Sequence, residues 1–147
     1  MLTTEIVSFD SPAFAELRAI RHRVFVEEQH VPPEEEFDQY ETDCRHFVVR
    51  LHGQAVGVAR WRKTEAGCKL ERFAVLEEYR GQGIGQVLVS EVMADIAAHQ
   101  SSPCLLYLHA QLPAVSLYAR FGFVRVGEPF EECAIWHYRM EQWLTKS

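Results

Sequence analysis

The stretch Arg80-Gly81-Gln82-Gly83-Ile84-Gly85 lies directly after an apolar run, Lys69 to Leu76, and directly before a segment of helical periodicity. Ile84, Leu88, Val92 and Ile96 recur every four residues, so the spacing predicts a helix from Gly83 to about His99. The run KLERFAVL predicts a strand. Three glycines in five positions therefore stand at a strand-to-helix junction, where a bare backbone can approach a ligand and take positive φ. The start of a helix offers unpaired N–H groups and the positive end of its dipole, which favour an anion such as phosphate. Arg80 adds a full charge beside them. A purely structural glycine turn is the alternative. A P-loop is excluded, because no Gly-Lys-Ser or Gly-Lys-Thr follows. A dinucleotide fingerprint fits poorly, since the spacing is wrong, the loop lies mid-chain and the next strand carries no acidic residue.

Upstream of this junction, Arg45 to Leu51 and Gln54 to Arg62 flank His52-Gly53 and predict a tight hairpin. A turn around Glu65-Ala66-Gly67 leads into the strand at 69–76. Ser11-Pro12 resembles a helix start, and Phe14, Leu17, Ile20 or Arg21, and Val24 follow at helical spacing, predicting a helix over 12–26. Glu5 to Phe9 predicts a first strand. Between residues 27 and 43 there are eight acidic residues and no Lys or Arg, and Pro32-Pro33 breaks any long helix, so a surface loop with one short helical turn is expected. Downstream, Cys104 to Ala110 predicts a strand buried on both faces. Pro113 to Arg120 predicts a short helix ended near Gly122, and Phe123 to Val126 and Ala134 to Met140 supply the last strands. The order is β-α-β-β-β-α-β-α-β-β. A crossover helix makes the strands at 69–76 and 104–110 a parallel pair and leaves the rest antiparallel. The expected class is α/β: a mixed, mostly antiparallel sheet with helices on both faces.

The chain has 147 residues, 48% of them hydrophobic, which suits one domain spanning 1–147. A formal net charge of -6 argues against nucleic acid as a partner, since phosphate binding needs a basic surface. No stretch reaches the roughly 18 consecutive apolar residues of a membrane span, and Met1 to Glu5 lacks the basic and apolar regions of a signal peptide. Cys44, Cys68, Cys104 and Cys133 form no C-x-x-C pair, so neither a metal site nor a redox dithiol is expected. Cys68, Cys104 and Cys133 lie in or beside apolar runs and are expected to behave as small hydrophobes. A cytoplasmic location follows as an expectation.

The R-x-x-G-x-G pattern of Arg80, Gly83 and Gly85, between a strand and a helix, resembles the pyrophosphate-binding signature of the GNAT superfamily of acyl-CoA-dependent N-acetyltransferases. A second block, Gln111-x-x-Ala114-x-x-Leu117-Tyr118 followed by Phe121-Gly122-Phe123, is similar to that family's N-x-x-A-x-x-x-Y…G-F block, with Gln111 in place of the usual asparagine. Val24 to Gln29 followed by Val31-Pro32, and Lys69 to Arg72, resemble its ElaA/YjcF-like branch. The resemblance covers nearly the whole chain. It implies a central parallel pair that splays apart, acetyl-CoA as cosubstrate without a metal, and direct transfer of acetyl to a primary amine of a small molecule or peptide. Homodimers are common in the family. A non-catalytic acyl-CoA sensor is the alternative function.

Carried over by motif, the pyrophosphate would meet Arg80, Gly81, Gln82, Gly83, Ile84, Gly85 and Gln86, and the pantetheine arm the backbone of Phe73, Ala74 and Val75 and the side chain of Gln111. An N–H of that strand, at Val75, would polarise the thioester carbonyl. Tyr118 matches the tyrosine near the coenzyme sulfur, where it either protonates the leaving thiolate or only packs. Alternation puts Glu71 on the strand face of Phe73 and Val75, where a raised pKa would suit a base; pairing with Arg60 or Arg72 is the competing role. His46 and His137 are the other candidate bases or acceptor contacts. Phe25, Glu28 and Gln29 would border the acceptor site if the acidic segment is more than solvated surface, and an acidic rim favours a cationic amine.

Overall fold

His52 and Gly53 both take positive φ, 52° and 85°, as a two-residue hairpin turn requires. In the computed structural model, which describes residues 1–145, they join β2 (Arg45–Leu51) to β3 (Gln54–Lys63). With β1 (Leu2–Val7), β4 (Cys68–Val75), β5 (Cys104–Gln111), β6 (Val124–Glu132) and β7 (Ile135–Leu144) they form one sheet in the order β1-β2-β3-β4-β5-β7-β6. Only β4 and β5 run parallel; the other neighbours are antiparallel. The last two positions of the expected 1–147 span lie outside the described residues.

Helices cover both faces. α3 (Ile84–His99) lays Leu88, Val89, Val92 and Ile96, all fully buried, against Val49, Val56, Leu70, Leu106 and Leu108. α1 (Ala13–Arg21) lays Phe14, Leu17 and Ile20 on the other face, against Val48, Val58 and Ala74. It runs on as a wider π-helical segment, His22–Glu28, a form often found beside functional sites. Short helices α2 (Pro33–Glu36) and α4 (Val115–Ala119) complete the set.

Several expectations need correction. The first strand begins at Leu2 rather than Glu5. β6 continues to Glu132 rather than ending at Val126, because a register shift between Val126 and Phe130 absorbs Gly127 and Pro129 without breaking the strand. Cys133 is exposed in the two-residue β6–β7 turn, where it and Ala134 take positive φ, so it is no core hydrophobe. The acidic segment is solvated only in part: Glu27, Glu28, Glu34, Glu35 and Asp43 are exposed and Pro33–Glu36 forms the short helical turn, but the remaining acids turn inward. Glu36 and Glu41 are buried and close on the buried Arg21 at 2.6–2.8 Å, and Asp38 closes on the buried Arg60 at 2.6 Å. Charges this deep are retained only when paired, and here the acidic segment supplies the partners.

Candidate active site

β4 and β5 pair only from Cys68–Leu70 to Leu106–Leu108, although β4 runs to Val75 and β5 to Gln111. Beyond Leu70 the strands diverge. The cause is local: Arg72 takes φ of 59°, and the β3 register slips between Val58 and Arg60, so Arg72 and Phe73 together oppose Ala59. That bulge bends β4 away from β5. It also reverses the side-chain alternation. Glu71 lies on the α1 side with Arg60, whereas Phe73 and Val75 pack with the α3-side core and Ala74 with the α1-side core. The expected sharing of one face by Glu71, Phe73 and Val75 is therefore incorrect.

The cleft at the splay is lined by Phe25, Gln29, Glu35, Lys69, Glu71, Phe73, His109, Gln111, Tyr118, Glu132, Cys133 and His137, among others. Tyr118 stands edge-on to Phe73 across the split, with ring centroids 5.6 Å apart. Its burial pushes the phenol well above its ordinary range, so the hydroxyl keeps its proton at neutral pH. The Gln111 amide donates to the Gln29 side-chain oxygen at 2.8 Å, tying the end of β5 to the segment after α1.

At the far end of β4, Gly83 is the residue before α3 and takes φ of 82°; Gly81 takes 80°. A Cβ at either would meet nothing within 4 Å, so neither glycine is there for packing. Both conformations favour glycine and leave the first amides of a 16-residue helix facing outward. Gly85 serves a different end: its Cβ would lie 3.3 Å from Leu117 of α4. Arg80 donates through Nε to the Val75 carbonyl at 3.0 Å, and its other nitrogens clasp Glu28 at 2.7 and 2.8 Å. Glu28 thus sits at the glycine loop, not among the cleft-lining residues where the acceptor was expected.

The candidate bases separate. Burial raises the Glu71 carboxyl, but Arg60, Lys69, Arg62 and Arg72 outweigh it and hold the group below its usual range. Glu71 accepts from Arg60 Nε at 2.8 Å and Arg62 Nε at 3.0 Å. The raised pKa expected of a base is thus reversed. His46 is fully buried, gives its Nε2 hydrogen to the Glu41 carbonyl at 2.8 Å and stands edge-on to Phe14, away from the cleft. Among the candidate histidines, His137 does line the cleft; its Nδ1 hydrogen goes to the Ile135 carbonyl at 2.7 Å. The sequence expectations also omit His109, Glu132, Glu35 and Cys133 from the cleft. Alternation of Tyr107, His109 and Gln111 carries a signal for His109. Glu132 lies beyond the point where β6 was expected to stop.

Among the described residues there is no cluster that could hold a metal ion, and no helix is long and apolar enough to cross a membrane.

Residues 11–144 match the Acetyltransferase (GNAT) domain family. The chain is 36% identical over 122 residues to the uncharacterized N-acetyltransferase YjcF of Bacillus subtilis, covering 82% of this chain and 86% of that one. The crystal structure of Escherichia coli ElaA superposes with a TM-score of 0.86 at 28% identity, over 97% of this chain and 99% of that one. An acyl-CoA N-acyltransferase from Pseudomonas aeruginosa gives 0.85 at 27% identity, again over 97% and 99%. A split parallel pair beside a glycine-opened helix, on this sheet, defines the N-acetyltransferase class. The chain belongs to the GNAT acetyltransferase family.

Proposed function

We propose that this chain is one acetyltransferase domain that moves the acetyl group of acetyl-CoA to a primary amine of a small molecule or peptide, by direct attack in a ternary complex. The observation that carries the reading is the open β4–β5 split, flanked at one end by the Gly81–Gly83 turn and at the other by Tyr118. The pyrophosphate would lie on the N–H groups at the start of α3, from Gly83 to Gln86, with Arg80 exchanging Glu28 for phosphate. The pantetheine arm would follow the unpaired edge of Phe73, Ala74 and Val75, with Gln111 opposite.

Transfer needs a polarised carbonyl, an uncharged amine and a proton for the departing sulfur. The Val75 N–H serves the first need and the protonated Tyr118 hydroxyl the third. Direct attack is favoured over an acyl-enzyme because Cys133, which lines the cleft, is a poor nucleophile. A hydrogen bond to Glu35, together with burial, pushes its thiol up to about 11, and the thiolate is the reactive form. Glu35 and Glu132 at the rim have no Lys or Arg partner among the described ion pairs, so the cleft suits a cationic amine.

The test is thiol release from acetyl-CoA against a panel of linear alkylamines, diamines and unblocked dipeptides, with products identified by mass. Amine-dependent release with an acetylated product is expected. Tight coenzyme binding without release for any amine would instead mark a sensor.

A further inference from the structure

We propose that His109 is the general base of the transfer and that Glu132 is the positioning residue that holds it in its working tautomer. The proposal rests on the acetyltransferase reading above and supplies the group that makes the acceptor nucleophilic.

His109 follows Leu108, the last β5 residue paired with β4, so it stands where the cleft opens. Glu132 ends β6, just before the turn at Cys133-Ala134, and reaches across β7 to place its Oε2 3.0 Å from His109 Nδ1. An ionised carboxylate can only accept, so Nδ1 carries the hydrogen and Nε2 keeps its lone pair. The ring of Phe130 stands edge-on to the imidazole, centroids 5.0 Å apart at 82°, and limits its rotation. Carboxylate, imidazole and cleft thus form the sequence of orienter, base and substrate of the catalytic triads.

Other groups face this imidazole. Tyr107 neighbours it on β5; Arg139 is its partner in register on β7, with its guanidinium on Glu141; His137 lies further along β7; Lys69 and Glu71 come from β4. Of these, Glu71 is engaged by Arg60, Arg62 and Lys69. His137 commits Nδ1 to Ile135 and turns Nε2 toward the same Glu132, at 4.0 Å. Both histidines have the hydrogen fixed on Nδ1, but His109 gives it to a carboxylate, which stabilises the imidazolium formed when Nε2 takes a proton, whereas His137 gives it to a neutral carbonyl.

His109 Nε2 takes one proton from R–NH3⁺, giving R–NH2 and an imidazolium paired to Glu132. The amine nitrogen bonds to the thioester carbon, the C–S bond breaks, and Tyr118 protonates the sulfur. Tyr118 recovers a proton from the positively charged nitrogen of the adduct, leaving a neutral amide, and the imidazolium returns its proton to solvent.

The experiment compares wild type, His109→Gln, Glu132→Gln and Glu132→Asp. The amine from the panel with the fastest wild-type release serves as probe, and kcat/KM is followed across pH. His109→Gln is expected to lower kcat/KM about 100-fold or more, as removal of a general base does, and to abolish the acid limb of the profile while acetyl-CoA affinity holds. Glu132→Gln is expected to displace that limb and Glu132→Asp to restore much of it, which a merely structural role would not do. Should His109→Gln fail to fold, the two Glu132 variants, altered at a half-exposed position, carry the test. A wild-type acid limb and rate in His109→Gln, or in Glu132→Gln if that variant must decide, would overturn the proposal and leave the transferase reading standing. No thiol release by wild type with any amine would overturn both.

Discussion

At the residue scale, chemistry in the cleft is governed by which polar groups are already committed. Tyr118 and Glu71 are both buried, yet they differ in kind. Tyr118 is held protonated by burial, whereas Glu71 is surrounded by cations and held ionised. Tyr118→Phe is therefore expected to lower turnover about 100-fold while coenzyme affinity stays within a few-fold; steady-state rates and calorimetry separate the two. Glu71→Gln is expected to cost about 3 kcal/mol in urea unfolding, the low end for breaking a buried ion pair, because Arg60 keeps Asp38 and Glu41. The glycine turn before α3 and the elements that carry Gln111 and Tyr118 to the cleft were legible in the sequence. The orientation of Glu71 was not, because a single extra residue at Arg72 reverses every later side chain on β4, and no composition signal marks it. The contact of His109 with Glu132 joins positions 23 apart on strands that β7 separates in the sheet, so spacing alone does not reveal it.

At the element scale, strong periodicity was read correctly and irregularity was not. The β2–β3 hairpin and α3 fall within a residue or so of the bounds their apolar spacing predicts. The inward turn of Glu36, Asp38 and Glu41 within the acidic segment was missed because their countercharges, Arg21, Arg60 and Arg72, come from α1, β3 and β4, and only the fold brings them together. The glycine turn before α3 gives the clearest test at this scale. Gly83→Asp has open space for its side chain and a left-handed backbone that aspartate tolerates, at a cost of about 1 kcal/mol. It places a carboxylate where the pyrophosphate is proposed to bind. The variant is expected to fold, with unchanged circular dichroism and a slightly lower melting temperature, and to lose coenzyme binding. Unchanged affinity would sink the loop assignment.

On the scale of the whole molecule, one buried charge network links the segment after α1 to β3 and β4, and so fixes one wall of the cleft to the sheet. Its pH dependence follows from the carboxylates. Burial raises Asp38, but the hydrogen bonds and charge of Arg60, with help from the Tyr40 N–H and Arg72, bring it down to about 2. Glu41 and Glu71 are also depressed, despite burial, by Arg21 and Arg60 and by Arg60 and Lys69 respectively. An unfolded carboxylate titrates near 4, so on acidification the unfolded chain takes up protons first. The contribution of the network is thus complete above about pH 4 and lost as pH falls toward about 2. Urea unfolding midpoints are expected to drop through that window, and Asp38→Asn to make the drop shallower. The same network holds the split β4–β5 cleft in shape, and the proposed ligand of that cleft is the central claim. Calorimetric titration of the wild-type protein with acetyl-CoA, ATP and NAD tests it most directly: saturable one-to-one binding of acetyl-CoA, with ATP and NAD far weaker, is the expected result, and no binding of acetyl-CoA would contradict it.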